Sequence, residues 1–563
     1  PLAIELAASW ISSLSCEEIA GGIAADLDTL TTPLRNVPDR HRTMRAVFEQ
    51  SWRRLSPGEQ EIFRRLSVFR GGFDRRAAGA VTGATLPMLA TLVDCSLLSK
   101  DAQDRYQVHE LLRQYGAARL AESPSASEQV TIQHCRYYTD FLAEQGRLFE
   151  TGSEKQALAQ CLRDMDNSRA AWQAAVDRGM AGALRPAAIA IGWISQMQGR
   201  YREGYHLLDS ADRRLAQLGA AGSDLAEPAP ARAEILAYLA YLAIRIGELD
   251  RALAAGLECI ALLDSPSFAL IPGFTKSPHG ALALLAVVRG EFAQAERIAL
   301  NLTQVSTANG QYWDLPSGYY LWAQAALAQG KLEVARQAAQ TSVELCRRYQ
   351  QNWLVAYFLI GLGEVCAAQG ELAAARTHFQ AAYQVRKEYS DPEGMAVTLN
   401  HLGDVALRLY LGEEAEAHFA AALALYSEIS DPGGLATCYK GLGQVAFLRG
   451  DVDRTRDCYR QALQTACSVG YTALIMALFT HTGELLLYLE QPEPALAILG
   501  FVLGTHQSTY SAKRKVQQIL AEGLNNAAGA SVEQPLREAE LLTFDACLAL
   551  VSSTLEQPLP NAP

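Results

Sequence analysis

From Met44 onward the chain is written in the three-and-four spacing of amphipathic helices. Ala375, Phe379 and Ala382 lie four and three residues apart, on one helical face where small alanines leave room for an aromatic ring. The same arrangement returns 40 residues later at Ala415, Phe419 and Ala422. Gly363, Gly403, Gly443 and Gly483 keep that interval, as do Phe379, Phe419 and Tyr459. A second glycine recurs at 290, 330, 370 and 450, with Ala295, Ala335, Ala375, Ala415 and Ala495 in a common phase. The pattern predicts six helical hairpins from about residue 276 to 508, in which Gly363 lets a neighbouring helix approach and Gly370 ends its own. Asp391-Pro392 and Asp431-Pro432 mark two unit boundaries, since proline suits only the first turn of a helix.

The order leucine-glycine, glycine, alanine, aromatic, alanine resembles the tetratricopeptide repeat, with helices longer than in the usual unit. The resemblance implies stacked hairpins whose concave surface takes a protein or small-molecule signal. Upstream, Gly199-Arg200-Tyr201 and Gly247-Glu248-Leu249 mark two irregular hairpins, extending the array back to about residue 180. Within it, Trp313, Tyr319, Tyr320, Trp322, Trp353 and Tyr357 are candidates for a partner-binding surface. Trp313 and Trp353 are 40 apart, which also fits core positions of the repeat.

Residues 34–120 have another texture. Met44 to Leu55 reads as a helix, Ser56-Pro57 starts a second that ends by Gly71-Gly72-Phe73, and Leu86 to Leu98 forms a third. Leu97 to Val108, with a turn at Asp101 to Asp104, predicts a two-stranded wing before a helix from His109 to Leu120. Ser511 to Leu555 reads as two further helices sealing the last repeat, and Pro558 to Pro563 as a disordered tail.

Composition narrows the picture. The chain is 49% hydrophobic and 20% charged over 563 residues, with no apolar run of the roughly 20 residues needed to span a membrane and no secretory leader pattern. A cytoplasmic location is expected. The 11 cysteines are scattered and never form C-x-x-C, so no disulfide framework or metal site is expected. Eleven arginines against five acids fall in residues 35–76, whereas the whole chain carries -12. An array that acidic does not suit a phosphate backbone, so nucleic acid, if touched, meets the N-terminal part.

Three segments together resemble the NB-ARC class of nucleotide-dependent switches. They are Pro1-Leu2-Ala3, Ser51-Trp52 through Leu66-Ser67-Val68-Phe69, and Val108-His109-Glu110-Leu111-Leu112. The resemblance is to bacterial regulators of that class with C-terminal tetratricopeptide arrays, in which Asp166-Asn167-Ser168-Arg169-Ala170-Ala171 looks like the segment after the winged helix. It implies that Pro1 packs near the adenine and that His109 faces the ADP phosphate, where a histidine can donate a charge-assisted hydrogen bond. The leading Gly-Leu is absent before Pro1, and Val108 and Glu110 replace the family's methionine and aspartate. A histidine at a helix start is otherwise a cap or a surface residue.

The expected fold is mainly all-α: a winged-helix-like domain followed by an α-α superhelix. By domain, 1–33 is the end of the NB-ARC helical arm, 34–120 the winged-helix-like domain and 121–180 a helical linker. Residues 181–508 form the array, 509–557 capping helices and 558–563 the tail. No phosphate loop of the form G-x-x-x-x-G-K-[ST], zinc-protease helix or G-x-S-x-G elbow occurs, so no catalytic residue is assigned. The expected function is the sensor portion of a nucleotide-dependent switch, partnered with its own upstream ATPase domain and, in the active state, with other copies. ADP or ATP is implied for that upstream domain and no cofactor for this chain. A stand-alone scaffold and a DNA-binding regulator acting through the arginine-rich winged helix are the alternatives.

Overall fold

The computed structural model describes residues 15–25, 44–220, 228–264, 276–308, 310, 312–429, 431–505, 508–526 and 542–556. Pro1, most of 1–33 and the 558–563 segment lie outside them. The chain divides into two compact units: one of residues 1–146, 156–190 and 213–231, the other of 147–155, 191–212 and 232–563.

In the first unit, helices Met44–Trp52, Pro57–Leu66, Arg75–Thr82, Leu86–Asp94 and Glu110–Ala121 surround a core built on Phe63, Leu66, Phe69, Phe73, Leu89 and Tyr115. Side chains cap several of these starts. Ser56 and Glu59 form a reciprocal capping box, and Asp74 accepts from Ala77 N–H at 2.7 Å. The hairpin pairs Ser99–Lys100 with Tyr106–Gln107, antiparallel. Its turn is shaped by Asp101, which accepts from the Gln103 and Arg105 N–H groups at 2.9 Å, and by the left-handed Asp104 at φ 62. Arg105 then reaches Asp164 at 2.7 Å. From the next helix, Met165–Asp177, the Asn167 side chain accepts from Arg70 N–H at 2.7 Å and donates to the Gly72 carbonyl at 2.9 Å. That bond pattern gives the Asp166 to Ala171 segment its structural job: it fastens the bend between two helices of the core.

The second unit is a run of helical hairpins, including Pro278–Val288 with Phe292–Ala308, Leu315–Ala328 with Leu332–Arg348, and Val355–Gln369 with Leu372–Glu388. The 40-residue phases have direct physical causes. A Cβ on Gly363 would lie 2.6 Å from the Phe379 ring, and one on Gly443 2.5 Å from the Tyr459 ring, so the glycines are sockets for the aromatic knobs. The second glycine ends the first helix of a hairpin in the left-handed region, as at Gly370 with φ 89. At the same phase Tyr410 and Glu490 adopt φ 60 and 56 without being glycine.

Two contacts tie distant hairpins of this unit together. The Tyr510 ring packs on Gly330, and Arg514 Nη1 donates to the Ala368 carbonyl at 2.9 Å, 146 residues away. Val516, Ile519, Cys547, Val551 and Leu555, from the last two described helices, are buried in the core of the terminal hairpins. Among the described residues no single helix is long and apolar enough to cross a membrane.

Candidate functional site

A set of charged and aromatic residues of the second unit converges on one interior cluster. Tyr201 opens the Tyr201–Ala220 helix, and Arg245 closes the Pro228–Arg245 helix. Both bond the carboxylate of Glu393, in the first turn of Pro392–Arg408: the Tyr201 hydroxyl donates to Oε2 and Arg245 Nη2 to Oε1. The guanidinium also sits 4.7 Å from the Tyr201 ring centroid. Glu393 is 6% exposed at its side chain, whereas Arg245 keeps 29%.

In the last turn of the preceding helix, Leu372–Glu388, Arg386 is fully buried. Its Nη1 donates to Asp391 at 2.8 Å, and the guanidinium lies 3.8 Å from the ring centroid of Tyr357 and 4.8 Å from that of Trp353. Nε and Nη2 have no hydrogen-bond acceptor among the described residues. Asp391 is at once the ion-pair partner, the helix cap for Gly394 N–H at 2.8 Å and the acceptor for Trp353 Nε1 at 3.2 Å. Lys276 completes the aromatic lining, its ammonium 4.7, 5.2 and 5.6 Å from the rings of Tyr238, Tyr241 and Trp193.

Electrostatics follow from enclosure. Burial pushes the phenols of Tyr201, Tyr241, Tyr320 and Tyr471 above their ordinary value, so all four stay neutral hydroxyls at neutral pH. Burial pulls Lys276 down, against the pull of Asp314, Glu150 and Glu234. For Arg245 burial works downward too, but the negative charges of the bonded Glu393 and of Asp431 oppose it, and the group remains a fixed cation. Tyr471 senses Arg245, Glu364 and Asp431, yet 45% of it is exposed. The cluster is thus ringed by protein and still reached by water.

Beside it lie two cavities of about 230 and 210 Å³ that share Ala473, Thr509 and Ser511. Gln324 and Glu364, 2.7 Å apart, line the first; His481 and Lys515 line the second.

The sequence candidates divide. Trp353 and Tyr357 stand in the cluster, 5.2 Å apart by ring centroids, and Trp313 reaches it edge-on through Trp193 at 6.5 Å. Tyr320 packs on Phe358 at 5.5 Å and senses Arg245. Tyr319 and Trp322 pair with each other at 5.9 Å on the Leu315–Ala328 helix. His109 is in the first unit, exposed, as the N-cap of Glu110–Ala121; its Nδ1 accepts from Leu111 N–H at 3.3 Å, leaving Nε2 free among the described residues. Pro1 lies outside the described residues.

Tyr201, Tyr241, Arg245, Arg386, Asp391 and Glu393 were not proposed as site residues by sequence reasoning, which used Tyr201 and Asp391 only to mark hairpin boundaries. For three of them a signal existed in the repeat phase. Position 386 aligns with Cys346, Tyr426 and Ala466, and position 393 with Trp313, Trp353, Gly433 and Ala473, so both charges are foreign to their phase. Position 391 aligns with Gln351, Asp431 and Tyr471.

Comparison with known proteins finds similarity to parts of this chain. The tetratricopeptide repeat family matches residues 394–468. A protein of Mycobacterium tuberculosis that carries the name HTH-type transcriptional regulator is 35% identical over 182 residues, 31% of this chain and 20% of the relative. The regulatory protein AfsR of Streptomyces coelicolor is 32% identical over 124 residues, 21% of this chain and 12% of AfsR. The matched regions therefore span a fifth or less of those relatives. Among solved structures, a signal transduction ATPase with a tetratricopeptide repeat sensor from Pyrococcus horikoshii aligns at TM-score 0.47 and 15% identity, covering 95% of this chain and 74% of that one. A Rap protein complexed with Competence and Sporulation Factor aligns at TM-score 0.47 and 13% identity, covering 69% and 99%.

Proposed function

We propose that this chain is the sensing and regulatory portion of a nucleotide-dependent signal-transduction switch, in which the repeat array recognises a protein or small-molecule signal. The observation that carries the reading is the enclosed, water-reached cluster around Arg245. Neutral tyrosine hydroxyls, a fixed cation and aromatic faces converge there from helices far apart in the chain, as recognition of a partly polar ligand requires. The partial matches to proteins named as regulators support the regulatory half of the reading.

The nucleotide half rests on the motif order and on His109. The residue suits a phosphate contact: it is exposed at a helix N-terminus with Nε2 available, where the helix dipole also favours an anion. Arg113, one turn on, is engaged by Glu110 at 2.6 Å. ADP bound to an upstream ATPase domain would supply the phosphate, and in this reading His109 is the group of this chain that contacts it. Direct DNA binding draws less support from the arginines of this unit, because Arg53 pairs with Glu49 and both Arg64 and Arg65 with Glu61.

The test is to purify the complete natural polypeptide and quantify nucleotide released on denaturation, for wild type and His109→Ala. About one ADP per chain, falling at least severalfold in the variant, is the expected result. Nucleotide-free protein, or unchanged occupancy in the variant, sinks the switch reading.

A further inference from the structure

Glu393 occupies its position as a ligand would. Its carboxylate receives one hydrogen bond per oxygen, from a tyrosine hydroxyl and a guanidinium, the donor pair with which proteins hold a foreign carboxylate. Both donors come from residues about 150 to 190 positions away, on the two helices that border the irregular start of the array. An acid in a first helical turn has an ordinary role, complementing the helix dipole at the surface. Glu393 does not fit that description, because it is buried and its oxygens are turned to Tyr201 and Arg245. In the neighbouring units the same phase holds Trp353 and Gly433, so the fold of the hairpin does not call for a carboxylate.

The surroundings are built for a longer guest than one side chain. Arg245 is still 29% exposed while engaged, so a second carboxylate can approach it without prior unfolding. Around it stand Tyr241, Tyr320 and Tyr471, all neutral hydroxyls. Such groups match the carbonyls and N–H groups of a peptide backbone as well as a terminal charge.

We propose that the array binds a carboxylate-bearing peptide whose carboxylate displaces Glu393 from Tyr201 and Arg245, so that Glu393 is an internal competitor for the signal. This rests on the array being the sensor. Displacement removes the bonds that join the Tyr201–Ala220 and Pro228–Arg245 helices to the Pro392–Arg408 helix, and binding is thereby converted into a rearrangement of the array. Because the competitor is tethered, its effective concentration is on the order of millimolar or above, and removing its charge raises apparent affinity by roughly tenfold or more.

The experiment uses three pools of random hexapeptides: free C-terminus without acidic side chains, amidated with one glutamate, and amidated without any acid. Each is incubated with the whole chain, as wild type, Glu393→Gln and Glu393→Gln/Tyr201→Phe, retained peptides are identified by mass spectrometry, and their Kd is measured. Glutamine keeps the size and the acceptor for Tyr201, so the fold is preserved; a thermal midpoint within a few degrees of wild type checks this. Expected is tenfold or tighter binding of a carboxylate pool by Glu393→Gln, no comparable gain for the uncharged pool, and partial loss in the double variant. Amide exchange at residues 201–212 rises when the wild type is saturated. The first and second pools distinguish a terminal from a side-chain carboxylate. Equal binding of all pools, or no gain in Glu393→Gln, overturns the proposal while leaving peptide recognition standing; retention of no pool overturns both.

Discussion

Arg386 sits over the ring of Tyr357, its guanidinium 3.8 Å from the ring centroid and closed to solvent, while its ionic partner, Asp391, has three roles. The two residues therefore differ in what their loss strands. Asp391→Ala removes a helix cap and leaves a buried cation unpaired, so it costs about 3–5 kcal/mol. Arg386→Met leaves Asp391 with its Gly394 and Trp353 donors and replaces a charge by an apolar side chain, so its cost is smaller by roughly 1.5 kcal/mol or more. Urea unfolding of both variants checks the order, and equal costs contradict the account.

Tyr410 occupies the phase that glycine holds at 330, 370 and 450, in the left-handed region at φ 60 and 86% exposed. Its side chain contributes little packing and its backbone carries the Cβ penalty of that region. Tyr410→Gly is expected to stabilise the array by about 0.5–1 kcal/mol, seen as a raised thermal midpoint. A lowered midpoint would show that the ring does more than its exposure suggests.

Glu484 makes the acid limb of stability specific. Burial works to raise its pKa, but the His481 hydrogen bond at 3.2 Å and Lys515 at 2.8 Å prevail and bring it to about 2. The unfolded chain thus binds the proton first, and the contribution of this group is present above about pH 4.5 and lost as pH falls toward 2. Its size is about 3 kcal/mol. Glu484→Gln should flatten the decline in melting temperature between pH 5 and pH 3; an unchanged slope would assign acid lability elsewhere.

Asn167→Ala tests the first unit alone. It deprives the Arg70 N–H of its acceptor and takes the Asn167 oxygen, 3.4 Å away, from buried His134, whereas the Gly72 carbonyl keeps Arg105 at 2.7 Å. The expected loss is about 1–3 kcal/mol in the opening of this unit, followed by hydrogen exchange of the Arg70 and Phe73 amides. Unchanged exchange at these amides would mean that the bend holds without its clamp.

The array was legible because its packing repeats: Gly363 must admit Phe379, and every hairpin poses the same steric problem 40 residues on. Helix starts at Ser56 and Asp391 were readable for an equally local reason, since capping is decided within four residues. The interior cluster was not, because Tyr201 and Arg245 come from the part of the chain where the period fails. No spacing connects them to Glu393. Trp353 shows how the two kinds of information overlap: its 40-residue partner at Trp313 suits a core position, and it is buried, yet its indole N–H is spent on Asp391.

The contacts of Tyr510 with Gly330, Arg514 with Ala368, and Tyr201 with Glu393 have a consequence for how this unit comes apart. A linear stack of hairpins frays, because its outermost repeat has one neighbour and can melt alone. Here hairpins far apart along the stack hold one another, and peeling away a terminal helix also breaks bonds made more than 140 residues inward. Loss of order in this unit should be an all-or-none event with a single steep transition, more like the opening of a clasped bracelet than the unravelling of a thread.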